Sequence, residues 1–408
     1  MDIKENKSRL SGISSLKHRN FRLFWTGQLI SLMGTWMQNM AQAWLVLQLT
    51  NSPFLLGLTS AIQFTPYIFL SLIAGVMVDR IPKRKLLILT QTGQAILALI
   101  LGALTLTGLV RFWHVLILAG LLGILNTFDM PGRQSFIIEM VGKKDLPNAI
   151  ALNSTAFNLG RIVGPALAGI AIGKLGFSAC FFLNSASFVA VIIGLLLMNS
   201  LPVINLENTE EKIWVNIKEG LQYIYSTPIV FNTIILMASI STFAMNLSVL
   251  VPLIAKINLG QQAVGFGLLL SALGIGALLG ALALAGASGR EPKRRNLFFG
   301  AGCFCFFQIL LAFCHSFILA FIILMLTGWA MITFTTSVNT TLQLNATDNL
   351  RGRVMSVYTL VFGGAIPLGS LLSGTIAHVW GASFALIIGA SVGLLSLIII
   401  VSREINKS

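Results

Sequence analysis

Charge is confined to short intervals along this chain, and between them stand twelve apolar runs, each about long enough to cross a bilayer. They cover roughly residues 22–49, 54–78, 86–107, 113–137, 149–172, 177–198, 228–255, 262–286, 296–314, 317–342, 353–377 and 382–401. A helix of about 20 apolar residues spans the hydrocarbon layer, and in lipid every backbone polar group must be paired within the segment or a closed sheet. The runs are continuous rather than alternating with period two, so they predict helices and argue against a β-barrel. The fold class expected is an all-α membrane protein of twelve transmembrane helices.

Composition closes off the other classes. Only 10% of the 408 residues are charged and 56% are hydrophobic, with a mean hydropathy of +0.87. A soluble domain carries roughly 25% charged residues. The net charge of +14 would suggest nucleic acid in a soluble protein, but here the basic residues sit in clusters between apolar runs, so a nucleic-acid partner is not expected. Cys180, Cys303, Cys305 and Cys314 lie in or beside apolar runs without metal-site spacing, and read as small buried hydrophobes. No cofactor or metal is expected. The first 20 residues are hydrophilic and basic, and the run after them is too long for a secretory signal, so it reads as a retained span.

The basic clusters also orient the chain. Of 27 Lys and Arg, 23 fall in the two tails and in the loops after even-numbered spans. Arg111, Lys174 and Lys256 lie on the other side, and Arg161 lies inside a span. Lys and Arg are retained on the cytoplasmic face, which places both termini there. The longest polar break, 199–227, contains Pro202 and the acidic run Glu207 to Glu211. It divides the chain into a six-helix bundle at 1–198, a cytoplasmic central loop and a second six-helix bundle at 228–408. The basic loop Arg80-Ile-Pro-Lys83-Arg84-Lys85 returns as Arg290-Glu-Pro-Lys293-Arg294-Arg295, Gly57 maps to Gly267, and Asp145 maps to Asp348. Two pseudo-repeated halves suggest a transporter in which one half rocks against the other around a midplane site.

The stretch Gly75-Val-Met-Val-Asp79-Arg80-Ile-Pro-Lys83-Arg84-Lys85 is similar to the G-x-x-x-D-R-x-G-R-[RK] loop of the major facilitator superfamily, with Pro82 and Lys83 in place of Gly and Arg. Ser31 to Gln38, Ala43-Trp44-Leu-Val, Phe128-Asp129-Met-Pro131-Gly-Arg133, Asn158-Leu-Gly160-Arg161-Ile-Val-Gly164-Pro165 and Arg351-Gly352-Arg353 resemble its enterobactin-exporter and macrolide-efflux branch. The resemblance implies a bacterial inner-membrane exporter of amphipathic organic solutes, a drug or a siderophore-like metabolite, working as a monomer by proton antiport. A facilitator or importer is the alternative. A lipid-acting enzyme would need a Ser, His and acid cluster that no span supplies, and no phosphate-binding loop points to ATP.

The resemblance further implies a conformational latch of Gly75, Asp79, Arg80, Lys83, Arg84, Asp129 and Arg133. In it Asp79 docks at the N-terminus of helix 11, and Lys83 pairs with Asp129 at the cytoplasmic end of helix 4. Helix 5 carries Gly160, Gly164, Pro165 and Gly169, small residues that admit a close helix neighbour.

Three of the helices that line the cavity in this superfamily bear polar stripes. Gln28, Thr35, Asn39 and Gln42 lie on helix 1, Ser239, Thr242 and Asn246 on helix 7, and Thr336, Asn339 and Gln343 on helix 10. Either cavity lining or interhelical hydrogen bonding accounts for a single stripe; the three together read as cavity. Trp36, Trp44 and Phe64 offer aromatic surface there or pack as core. Arg161 stands 12–13 residues into helix 5, where it either attracts an anionic or electron-rich substrate group or bonds backbone carbonyls. All thirteen carboxylates map to tails, loops or helix ends, so Asp129 is the best proton site by resemblance and none is expected at mid-membrane.

Overall fold

The computed structural model describes residues 11–199, 221–286, 294–347 and 350–405. The central-loop assignment therefore lies largely outside the described residues, as do most of the second basic loop and Asp348. A 3-10 turn, Ser11–Lys17, leads into α1 (Arg19–Thr50), α2 (Pro53–Arg80) and α3 (Lys83–Leu106). Pro82 separates α2 from α3, because its ring disfavours a helical conformation at Ile81.

One 64-residue stretch, Phe112–Leu175, is broken at Gly142 into α4 (112–141) and α5 (143–175). Gly142 has φ 69°, a conformation that costs glycine little and reverses the chain without a loop. α4 thus runs four residues past its expected end at 137. α6 (Phe177–Leu196) follows Gly176, which has φ 85°. α7 comprises Pro228–Phe243 and, after a break, Leu247–Leu253 with a π-helical turn at Ile254–Asn258. The remainder are α8 (Ala263–Gly286), α9 (Arg294–Ala312), α10 (Phe317–Asn345), α11 (Arg351–Trp380) and α12 (Ala382–Ile405).

Among the described residues, ten helical stretches are long and apolar enough to cross a membrane, with Phe112–Leu175 counted once. α1 is not one of the ten: Gln28, Thr35, Gln38, Asn39 and Gln42 dilute its hydropathy over 32 residues. Elsewhere the apolar surface faces outward in stripes. On α3, Leu89, Ile96 and Ile100 are 69%, 50% and 42% exposed at helical spacing. Surface of this kind requires lipid as its solvent.

The chain forms two compact units, Met1–Leu45 with Phe69–Glu207, and Val46–Ile68 with Asn208–Ser408. In the first, Phe21, Phe24, Leu87, Phe136, Met140 and Val191 form a core, with the Phe24 and Phe136 rings edge to face at 5.9 Å. The 3-10 turn is clasped to the start of α5. Ser14 Oγ donates to Asp145 Oδ1 at 2.9 Å, Ser15 Oγ donates to Asn148 Oδ1 at 2.7 Å, and the His18 ring meets Asp145 Oδ2 at 2.9 Å. The His18 hydrogen bond, with that of Ser14 behind it, holds the Asp145 carboxyl below its ordinary range.

In the second unit, α8 and α10 approach so closely that a Cβ on Gly276 would collide with the Met325 carbonyl, and one on Gly328 with the Leu273 carbonyl. Lys256 Nζ donates to Leu47 O and to Asn51 Oδ1, both at 3.1 Å, which fastens the α1–α2 corner to the π-helical turn of α7.

Candidate functional site

The first unit holds a buried polar ladder between the antiparallel α3 and α4. Its rungs are Lys83 with Glu139 at 2.9 Å, Thr90 and Gln91 each donating to Asp129 Oδ1 at 2.7 Å, and Gln94 donating to Asn126 at 3.2 Å. Rungs that advance along α3 recede along α4, the register of an antiparallel pair. It rules out the Lys83–Asp129 pair implied by resemblance: Asp129 lies opposite residues 90 and 91, two turns beyond Lys83. Lys83 pairs instead with Glu139 and is 8% exposed.

Asp129 also departs from expectation in its position. It is 3% exposed and stands thirteen residues before Gly142, roughly 20 Å from that end of α4 at 1.5 Å per residue. It is an interior acid, not a helix-end one. Its Oδ2 is paired with Arg133 Nε, and Arg133 in turn donates to Gln28 Oε1. A buried carboxylate is tolerable here because two neutral donors and one cation surround it. Beside it, Gln28 Nε2, Ser31 Oγ and Gln91 Oε1 are buried and have no protein partner among the described residues.

The other latch residues are placed separately. Arg84 donates to Leu196 O at 2.9 Å, Arg80 is exposed, and the side chain of Asp79 lies outside the described residues. A Cβ on Gly75 would meet nothing within 4 Å. The glycines of α5 behave differently. On Gly164 a Cβ would stand 2.6 Å from Trp36 Cβ and 2.8 Å from Met33 O, and on Gly160 it would stand 3.1 Å from the Trp36 ring and the Leu32 carbonyl carbon. Pro165 and Gly169 are buried beside them.

The polar stripes divide by depth of cover. On α1, Gln28 and Gln42 are buried, whereas Thr35 is half-buried and Asn39 exposed. On α7, Ser239 Oγ is 2.6 Å from Ser396 Oγ of α12, the interhelical bond rather than an open face. Thr242 is half-buried, and Asn246 is 3% exposed, with Nδ2 donating to Thr242 O at 2.7 Å. That side-chain bond occupies the carbonyl a helical backbone N–H would use, and α7 breaks there. On α10, Thr336 and Gln343 are exposed, and Gln343 donates to Asn339 Oδ1 at 2.7 Å. Tyr358 of α11 joins Asn339, and its ring stacks on Phe362 at 6.2 Å.

Arg161 lies fourteen residues before the end of α5, and Trp36 lies fourteen before the end of α1. Equal depth brings them together, with the guanidinium carbon 5.9 Å from the Trp36 ring centroid. The ladder on α3 and α4 was missed in the sequence, although Lys83, Thr90, Gln91 and Gln94 recur there at helical spacing.

Long apolar helices in two units, with charged and amide side chains buried inside the first of them, define a polytopic membrane protein, and its family makes it a transporter. The chain belongs to the transmembrane secretion effector family of the major facilitator superfamily, whose model matches residues 10–408. It is 27% identical over 353 residues to the multidrug efflux pump Tap of Mycolicibacterium fortuitum, covering 83% of this chain and 84% of that one. To the staphyloferrin A transporter of Staphylococcus aureus it is 24% identical over 370 residues, covering 88% and 90%. Its fold matches the nucleoside transporter NupG with TM-score 0.76 at 12% identity, over 95% of this chain and 98% of that one. A bacterial homologue of the lysosomal transporter Spinster, inward-facing and occupied, gives TM-score 0.72 at 13% identity, over 93% and 94%.

Proposed function

We propose that this protein exports an amphipathic organic solute across the cytoplasmic membrane by alternating access, in exchange for protons. Twelve spans in two bundles, both termini in the cytoplasm and a monomeric state belong to the same reading, as does the absence of an enzymatic reaction. The relatives named for multidrug efflux and for a siderophore support export. The observation that carries proton coupling is Asp129: an acid in the interior of α4, matched to one Arg and bordered by Gln28 and Gln91, whose Nε2 and Oε1 atoms respectively have no partner among the described residues. Proton uptake there would release Arg133, and proton loss would recapture it, so the ion pair becomes an element that two ligands bias in opposite directions.

The test is transport in oriented proteoliposomes with staphyloferrin A, a macrolide and a lipophilic dye, with and without an imposed pH gradient. Wild type should accumulate at least one solute only with the gradient. Asp129→Asn should lose accumulation yet retain solute exchange at equilibrium, which also certifies that it folds. Movement indifferent to the gradient in both proteins would make the protein a facilitator and overturn the role of Asp129.

A further inference from the structure

Arg133 in α4 and Arg161 in α5 both stand far from the ends of their helices, and they are treated differently. Arg133 is neutralised by Asp129. Arg161 makes no ion pair among the described residues, and its contact is the face of Trp36. An indole face offsets only a small part of what it costs to hold a charge at this depth, so the guanidinium depends on water or on an anion that arrives.

Its surroundings favour an arriving anion. Trp36 meets Phe157 edge to face at 5.6 Å and 74°, and Phe157 precedes Arg161 by one turn on the same face of α5. Phe157 is 46% exposed, so its apolar surface is free beside the cation. The floor cannot retreat, because Gly160 and Gly164 already hold α5 against Trp36 at the limit of contact. Ser154, Asn158 and Arg161 run as a polar stripe at spacings of four and three, with Asn158 and Arg161 half-buried and Ser154 exposed. Lipid would not accept that stripe, so this face meets water.

We propose that Arg161, Trp36 and Phe157 form a two-point recognition site for amphipathic organic anions. The guanidinium takes a carboxylate, or an oxyanion of similar geometry, by its planar fork, and Phe157 takes an apolar group about one helical turn, ~5.4 Å, away. The inference rests on the exporter reading only in calling that ligand cargo; the binding itself does not require it.

The experiment measures equilibrium binding to the full-length protein in nanodiscs of zwitterionic lipid, which removes anionic headgroups as competitors. The probes are naphthylacetate, its neutral amide and naphthylethylamine, which share the ring and differ in charge. Wild type should bind the carboxylate roughly ten-fold more tightly than the amide, the difference expected of one charge-assisted pair. Arg161→Gln should erase that preference, and Arg161→Lys should keep part of it. Phe157→Ala should weaken carboxylate and amide by the same factor and keep the preference; it also serves should Arg161→Gln fail to fold. Equal affinity for the three probes in wild type, or an undiminished preference in Arg161→Gln, would overturn the site. If the preference holds and proteoliposomes transport none of the three, the site stands and the claim that its ligand is cargo fails.

Discussion

Replacing Asp129 by Asn isolates the energetics of the buried ion pair. Asn keeps one oxygen to accept from Thr90 and Gln91, so the two bonds of 2.7 Å survive. Where Oδ2 stood, an NH2 group now points at Arg133 Nε, so donor faces donor. The guanidinium keeps its bond to Gln28 and loses its counter-charge. Breaking a buried pair on one side costs about 3–5 kcal/mol. The Asp129 side chain is 4% exposed but that of Arg133 is 21%, so partial hydration puts the expectation near the lower figure, about 3 kcal/mol. The double variant Asp129→Asn/Arg133→Gln restores a neutral donor–acceptor pair, and should recover about 2 kcal/mol of that loss. Reversible unfolding in mixed micelles, followed by tryptophan fluorescence, measures the cycle. A loss below about 1 kcal/mol for Asp129→Asn, or additive effects in the double variant, would refute the claim that this pair is buried and coupled.

Three further outcomes follow from the structure. Gly164→Ala should destabilise the protein by about 1–3 kcal/mol, because its Cβ meets the fixed Trp36 Cβ and Met33 O, while Gly75→Ala, with nothing within 4 Å, should leave the melting temperature unchanged; equal shifts would contradict the packing of α1 on α5. Gln308 is fully buried and neither of its amide atoms has a partner among the described residues, so Gln308→Met should raise stability by about 1–3 kcal/mol in a thermal-shift assay, and a fall would reveal a hidden partner. The Asp145 carboxyl is held below 3.8 by His18 and Ser14. A carboxyl lowered on folding contributes above its ordinary value and loses the contribution as pH falls through the lowered one. The 3-10 turn should therefore resist release until pH falls below 3.8, and Asp145→Asn should release it at neutral pH. Hydrogen exchange at the Ser15 amide, which donates to Asn148 Oδ1 at 3.0 Å, follows the release in both proteins.

Apolar length alone established that this chain lies in a bilayer as helices, because lipid leaves an exposed backbone no other partner. The glycines of helix 5 were legible for a related reason: in a membrane only small residues let backbones meet, so Gly160 and Gly164 marked a contact before its partner was known. Arg161 was legible because a charge inside an apolar run is rare. What could not be read was which residue stands opposite which. A stripe recurring at helical spacing shares one face whether lipid, water or another helix covers it, so Gln28 and Gln42, which are buried, looked the same as Asn39, which is not. Ser239 was indistinguishable from a cavity residue until α12 placed Ser396 against it. The register of α3 on α4 gave Lys83 to Glu139 and left Asp129 in the interior, and that register is set by how far past residue 137 the chain stays helical before Gly142 turns it. Periodicity belongs to one helix and is written in its order of residues. Register and cover belong to pairs of helices, and they arise only when side chains distant along the chain compete for the same space.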